Sequence, residues 1–313
     1  MIIARAPLRV SLVGGSTDIA PYWQQRGGAV VSFAINRFTA VEVHYREKDY
    51  LIKYSSVERV KDVDNISNHL IAEAIRMVGI TEPLEVVCMA DLPESMGLGS
   101  SSSFAVSILA ALHQLKYGRI PAPLELAEMA CELEIERCGS PIGKQDQFIA
   151  ALGGLRLIEF FPNETRSTEL PNDAYDLIER CGLLVKWSSR GSASEVLRQR
   201  LPMEGTIHEL DKMKALAYEL FNDPVDLDKW AGCIYQNWAS KCELGSVATP
   251  EIDSIINAAY EAGATAAKLC GAGLGGCFLF LVPPERRALV LQALKDCMEI
   301  PFRISRRGMQ VWS

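Results

Sequence analysis

Between Phe38 and Tyr45 apolar and polar residues alternate, Phe38-Thr39-Ala40-Val41-Glu42-Val43-His44-Tyr45, which predicts a strand with one buried and one wet face. The stretch from Leu84 to Ala90 reads the same way. From Ser102 the period changes: Phe104, Ile108, Ala111, Leu112 and Leu115 recur at three and four residues, so a helix begins inside a run of serines. A second helix is expected from Pro123 to about Arg137, stopped by Gly139-Ser140-Pro141. Further strands are expected at 155–161, 182–187, 277–282 and near Arg303, and further helices at 208–221, 226–244, 250–262 and 285–297. Strands and helices are interspersed without strict alternation, which predicts an α+β fold. The polar, turn-rich run from Pro162 to Asp173 divides it into two domains, 1–165 and 166–313.

Hydrophobic residues make up 49% of the 313, enough to bury a large core. The net charge of −7 repels phosphate backbones and anionic lipid headgroups alike, so neither nucleic acid nor a membrane is an expected partner. The start, Met1-Ile2-Ile3-Ala4-Arg5-Ala6-Pro7, does not read as a signal peptide, and charges interrupt every apolar run before it reaches membrane-spanning length. A cytoplasmic protein, monomeric or homodimeric, is expected. The nine cysteines include no Cys-x-x-Cys pair, and Cys131 and Cys138 fall a heptad apart on a predicted helix. Reduced core thiols fit this better than a zinc site. His44, His69, His113 and His208 add no metal spacing.

Three glycine-rich segments carry the candidate chemistry. The middle one, Pro93-Glu94-Ser95-Met96-Gly97-Leu98-Gly99-Ser100-Ser101-Ser102-Ser103, lies between a predicted strand and helix. Glycines there let backbone N–H groups approach an anion, and the helix start and serine hydroxyls add donors, although a serine cap after a flexible turn has the same composition. It is not a Walker A loop, because Gly143-Lys144 is followed by Gln145. The last segment, Gly271-Ala272-Gly273-Leu274-Gly275-Gly276, contains a formal G-x-G-x-x-G, but a helix is expected before it and the strand from Cys277 after it, the reverse of a dinucleotide fingerprint. So many glycines predict that another chain segment or a ligand lies against it. The first segment, from Ala6 to Asp18, sets Arg9, Gly14-Gly15 and Asp18 after a short apolar strand, a set that suits polyol binding or a plain turn.

The order and spacing of the three segments resemble the GHMP kinases, named after galacto-, homoserine, mevalonate and phosphomevalonate kinases. Ala6-Pro7-x-Arg9 to Asp18 resembles the first family motif, Pro93 to Ser103 the second, and Lys268 to Gly276 the third. The resemblance implies a two-domain fold, the N-terminal part like ribosomal protein S5 domain 2 and the C-terminal part ferredoxin-like, with ATP and Mg²⁺ as cofactors. Within the family, Gly14-Gly15-Ser16-Thr17-Asp18-Ile19-Ala20-Pro21-Tyr22 and Pro141-Ile142-Gly143-Lys144-Gln145-Asp146-Gln147 are similar to the D-glycero-D-manno-heptose 7-phosphate kinases. Arg190-Gly191-Ser192-Ala193-Ser194-Glu195 is similar too, whereas Lys186-Trp187-Ser188-Ser189 departs from that pattern. Galactokinases carry Gly-Glu-His-Thr-Asp where this chain has Gly14 to Asp18.

The resemblance implies roles residue by residue. Asp146 becomes the catalytic carboxylate and Arg9 the cation beside the transferred phosphoryl group, although an ion pair between the two would use the same chemistry. Pro93, Gly97, Leu98, Gly99, Ser100, Ser101 and Ser102 become the ATP cradle, and Ser101 with Glu136 the Mg²⁺ ligands, a solvated carboxylate being the alternative for Glu136. Gly14, Gly15, Ser16, Thr17, Asp18, Lys144, Gly271, Ala272 and Gly273 become acceptor-binding, and Arg190 the anchor for a phosphate already on the sugar or, alternatively, a helix cap. The implied reaction is phosphorylation of the heptose 7-phosphate at C1. Another sugar acceptor, or an inactive sugar-sensing regulator on the same fold, is the alternative.

Overall fold

Two long strands organise the first half of the chain. In β1 (Ile2–Val13) burial alternates for four residues and is then continuous from Ala6 to Val13. β2 (Gly28–Tyr45) runs antiparallel to it. The register shifts between Pro7 and Leu8, which pair with Phe38 and Ile35. Proline has no N–H to give to a ladder, so the break falls where it costs least, and it sets Arg9 opposite Ala34. In this computed structural model, residues 1–188, 206–245, 247–271, 273 and 275–313 are described.

β3 (Tyr50–Lys53), β4 (Val57–Val60), β5 (Leu84–Ala90), β6 (Leu155–Phe161), β7 (Glu164–Glu169) and β12 (Gln310–Trp312) complete the first sheet. Its order is β12-β1-β2-β5-β3-β4, with β6 paired to the opening half of β2 and β7 to β6. A second, antiparallel sheet has the order β11-β8-β10-β9, from β8 (Gly182–Ser188), β9 (Ala266–Leu269), β10 (Gly276–Leu281) and β11 (Met298–Glu299).

Ten α-helices are described. The short α1 (Tyr22–Arg26) follows β1. The helices α2 (His69–Val78), α3 (Ser100–Tyr117), α4 (Pro123–Cys131) and α5 (Gln145–Leu152) cover one face of the first sheet, where Ile108 and Leu109 join Val41, Val43 and Val86 in one core. The opposite face, with Leu8, Val10 and Phe33, packs on α6 (Asn172–Cys181), α7 (Ile207–Asn222), α8 (Leu227–Glu243) and the second sheet. Trp230 lies at the centre of that layer, fully buried, its indole N–H donating to the Asp223 carbonyl at 3.1 Å. On the far side of the second sheet, α9 (Pro250–Glu261) and α10 (Arg287–Ala293) enclose a third cluster around Phe278 and Phe280. The fold is α+β, as the mixed order of elements predicts.

Four expectations are corrected. The boundary at 165/166 falls inside the β6–β7 hairpin, because β7 is an edge strand of charged and hydroxylic residues held by its ladder rather than by burial. The third glycine segment follows a strand, β9, and not a helix; it joins two strands of one sheet, so a dinucleotide fingerprint remains excluded. The helix expected over 285–297 is a 3₁₀ turn at Pro284–Arg286 followed by α10. Near Arg303 there is only a bridge from Ile304 to Ile35, and the last strand is β12, which returns to the first sheet.

Candidate active site

The three glycine segments meet because glycine lets their backbones touch. A β-carbon on Gly97, whose φ is +74°, would lie 2.5 Å from the Cys270 carbonyl oxygen, and one on Gly271 would lie 2.5 Å from the Gly97 α-carbon. A β-carbon on Gly276 would strike the Met96 carbonyl at 2.6 Å, where that oxygen also accepts from the Cys277 N–H at 3.1 Å. The segment expected to press on the third glycine run is therefore the second. Arg9 ties in the first: its N–H donates to the Leu98 carbonyl at 2.9 Å and its Nη1 to the Gly97 carbonyl at 2.5 Å.

Around this junction opens a cavity of about 670 Å³, large enough for a nucleotide and a small acceptor. Gly97, Leu98, Gly99, Ser100, Ser101 and Ser102 line its middle. Helix α3 starts there from Gly99 in the left-handed conformation, with no side chain capping it. Its first-turn N–H groups remain available to an anion. Pro93 is exposed at the loop entrance and does not line the cavity.

Asp146 sits in the first turn of α5, where Arg9 holds it from two sides: Nε to Oδ1 at 2.6 Å and Nη2 to Oδ2 at 2.5 Å. Arg9 is buried. Burial alone would lower its pKa, but the charge and hydrogen bonds of Asp146 outweigh this and raise it. Gly99 gives the pair room, since a β-carbon there would lie 3.1 Å from Arg9 Cγ and 3.2 Å from Asp146 Oδ2.

The carboxylate beside Ser101 is Glu134, not the expected Glu136. After Cys131 the helix widens into a π turn over Glu132–Arg137, and of its carboxylates only Glu134 is fully buried, while Glu136 is exposed. Residues two apart project to nearly opposite sides of a helix, so only one of them can face Ser101. Glu134 Oε1 accepts from the Ser101 hydroxyl and Oε2 from Gln147 Nε2 at 2.6 Å. Burial pushes its pKa up to about 7, against the hydrogen bonds from Ser101, Ser102 and Gln147. A hydroxyl and a carboxylate side by side are hard oxygen donors, the set that Mg²⁺ takes together with phosphate oxygens and water.

Gly15, Ser16, Asp18 and Gly271 also line the cavity. Asp18 Oδ1 accepts from the Ser16 N–H and Oδ2 from the Gln145 N–H, both at 3.0 Å. Burial raises its pKa to about 6. The absence of a side chain at Gly143 makes this possible, since a β-carbon there would sit 2.0 Å from Asp18 Oδ2. Four expected acceptor residues do not line the cavity. Thr17 is fully buried and bonds the Gly14 and Ala29 carbonyls, and Gly14 turns the chain against Ala29. Lys144 points to Glu128 at 2.7 Å and over the Trp23 ring. Gly273 does not line it either, and Ala272 and Arg190 lie outside the described residues.

Lys241 and Asn237 line the same cavity although no sequence motif singles them out. They continue the buried stripe Trp230, Ile234, Asn237, Lys241 along α8, and a lysine in the apolar phase of a helix is a readable signal. Lys241 donates to the Gly271 carbonyl, and Asn237 Oδ1 accepts from the Gly14 N–H at 2.8 Å. Lys268, inside the buried strand β9, gives Nζ to the Ser11 and Leu12 carbonyls at 2.8 Å each, and burial lowers its pKa to about 8.

A helix start, the Ser101 hydroxyl with the buried Glu134 behind it, and an Arg–Asp pair at one cavity fit a small-molecule phosphotransferase. The model of the GHMP kinases N terminal domain matches residues 65–154, and that of the GHMP kinases C terminal domain residues 214–300. The chain belongs to the GHMP kinase family and is an ATP-dependent phosphotransferase. It is 25% identical to the D-glycero-alpha-D-manno-heptose 7-phosphate kinase of Campylobacter jejuni, over 99% of this chain and 98% of that one. It is 26% identical to the galactokinase of Pyrococcus furiosus, over 94% and 92% respectively. The fold matches the solved structure of a D-glycero-D-manno-heptose 1-phosphate kinase from Bacteroides thetaiotaomicron with a TM-score of 0.83 at 23% identity, over 100% of this chain and 99% of that one. Among the described residues, no helix is long and apolar enough to cross a membrane.

Proposed function

We propose that this cavity transfers the γ-phosphoryl group of ATP to the C1 hydroxyl of a heptose 7-phosphate. The observation that carries the reading is the Arg9–Asp146 pair, held between the cradle at Gly97 to Ser102 and the polar wall at Gly15 to Asp18. The cradle receives the triphosphate on the amides that begin α3. The apolar lining residues Leu70, Cys88 and Met89 receive the base.

Ser101 and Glu134 would hold Mg²⁺, which supplies charge neutralisation on the phosphate oxygens. Asp18 accepts from acceptor hydroxyls on its remaining lone pairs. Asp146 orients the attacking hydroxyl and takes its proton as the new O–P bond forms and the bond to the departing ADP oxygen breaks. Arg9, with its charge beside that oxygen, stabilises the phosphoryl group in transit and keeps Asp146 in one orientation.

The seven-carbon, phosphorylated acceptor is supported by the relative in Campylobacter jejuni and by Gly14 to Asp18, which lacks the Glu-His of galactokinases. Turnover of ATP against a panel of heptose, heptose 7-phosphate, galactose and mevalonate tests it. The reading expects the heptose 7-phosphate to have the highest kcat/KM; a higher value for galactose or mevalonate rejects it.

A further inference from the structure

Arg9 and Ser11 stand two residues apart on β1, so their side chains leave the strand on the same face, about 7 Å from one another. The first turn of α5 supplies a companion for each. Arg9 holds Asp146, and Ser11 shares a gap beside Gly15 with Gln145. All four side chains belong to residues that line the cavity. The phosphoryl transfer proposed above uses the first pair and leaves the second without a task.

The second pair has donors to spare. Ser11 is 8% exposed, and its hydroxyl has no hydrogen-bond partner among the described residues. Opposite it in the β1–β2 register stands Ser32, fully buried, whose hydroxyl donates to Gln145 Oε1 at 3.0 Å. The Gln145 backbone N–H is held by Asp18 Oδ2 at 3.0 Å. Pinned at both points, the Gln145 amide turns its Nε2 toward Gly15. A β-carbon on Gly15 would lie 3.4 Å from Ser11 Oγ and 3.5 Å from Gln145 Nε2 and, its chain neighbours apart, would meet nothing else within 4 Å. The missing side chain thus leaves an opening bordered by a hydroxyl and an amide NH₂. A buried hydroxyl calls for a partner, and a serine turns between staggered positions at little cost to reach one. Both groups are neutral, and a serine hydroxyl can donate or accept. This is a set for a sugar hydroxyl rather than for a phosphate, which draws charged donors.

We infer that Gln145 Nε2 and the Ser11 hydroxyl bind one hydroxyl of the acceptor other than the one phosphorylated, and so select the sugars that can present their reacting hydroxyl to Asp146. The inference rests on the proposed sugar phosphate acceptor and adds two residues that read its stereochemistry. The adjacency of Gln145 and Asp146 in one helical turn ties recognition to reaction: a sugar held by the first is placed against the second.

The experiment measures kcat/KM for heptose 7-phosphate and its monodeoxy analogues in the wild type, Ser11→Ala and Gln145→Met, with the KM for ATP alongside. Each substitution should lower kcat/KM for the full sugar about five- to thirtyfold, mainly through the acceptor KM, the scale of one neutral hydrogen bond. The KM for ATP should stay within about twofold. For one deoxy analogue, the penalty that the wild type shows should shrink to within about twofold in both variants, because the hydroxyl and its donors are lost together. The melting temperature of unliganded Ser11→Ala should equal or exceed that of the wild type, since a hydroxyl without a partner adds nothing to the fold. If Gln145→Met does not fold, Ser11→Ala carries the same comparison. A wild type inactive on heptose 7-phosphate overturns the acceptor reading and this inference together. An active wild type whose deoxy penalties all persist in the variants overturns the inference alone. So does a Ser11→Ala protein that melts lower and loses every acceptor and ATP to the same degree, because Ser11 then only supports the fold.

Discussion

Arg9 and Asp146 lie 137 residues apart in the chain and meet side-on through two contacts, Nε to Oδ1 at 2.6 Å and Nη2 to Oδ2 at 2.5 Å. A bidentate fork of this kind fixes the plane of the carboxylate as well as its position. Asp146→Asn keeps one oxygen acceptor and nearly the same volume while removing the charge. Turnover should fall by about a hundredfold or more, and ATP affinity measured by calorimetry should stay near that of the wild type. Turnover at the wild-type rate would remove Asp146 from the mechanism.

Glu134 and Glu136 separate cleanly. Glu134→Gln should raise the Mg²⁺ concentration needed for half-maximal rate by about tenfold or more, whereas the exposed Glu136→Gln should titrate like the wild type. A large effect at Glu136 with none at Glu134 would reverse the assignment. Excess chelator should abolish transfer by either protein.

The pH dependence of that titration has a definite sign. Burial raises the Glu134 pKa from its ordinary 4.5 to about 7, and a cation binds the ionised form. Below that pH, protons compete with Mg²⁺, and the half-saturating concentration should rise by up to roughly tenfold per pH unit. Without the metal ion, the same raised pKa makes Glu134's contribution to stability greatest below its unfolded value and lost as pH rises through about 7. Glu134→Gln should flatten both dependences; a Mg²⁺ requirement that is constant from about pH 6 to about pH 8 would contradict the shift.

Two glycines with similar backbone angles should respond differently to alanine. Gly97 has φ +74° and a carbonyl oxygen 2.5 Å from where the methyl would go, whereas Gly118 has φ +65° and nothing within 4 Å. Gly118→Ala should cost about 1 kcal/mol, the strain of the left-handed conformation alone. Gly97→Ala must also push the second and third glycine segments apart, so denaturant unfolding should show a loss of more than about 2 kcal/mol together with lost turnover. Equal losses would mean that the close approach at Cys270 is not needed.

Elements with a clear period were legible in the sequence. β5 spans Leu84–Ala90 as expected, and α3 begins within the serine run. Elements held by pairing rather than by burial were not: β7 has no apolar pattern because it is an exposed edge. β9 is too short and too uniformly buried to show alternation. In the site, residues carried by the glycine motifs were found, and they line the cavity from Gly97 to Ser102 and at Gly15, Ser16 and Asp18. Glu134 was missed because a π turn sets which of three neighbouring glutamates faces inward. Lys241 and Asn237 were missed because they lie on a helix far from any motif, where only the tertiary fold brings them to the cavity.

The most direct test of the central claim is to supply ATP, Mg²⁺ and heptose 7-phosphate and follow the product by phosphorus NMR alongside ADP release. The account predicts one new sugar phosphate signal per ADP, with coupling to the anomeric proton, and no signal in the Asp146→Asn reaction over the same time. ADP formed without a new sugar phosphate, or a phosphate attached elsewhere than at C1, would contradict it.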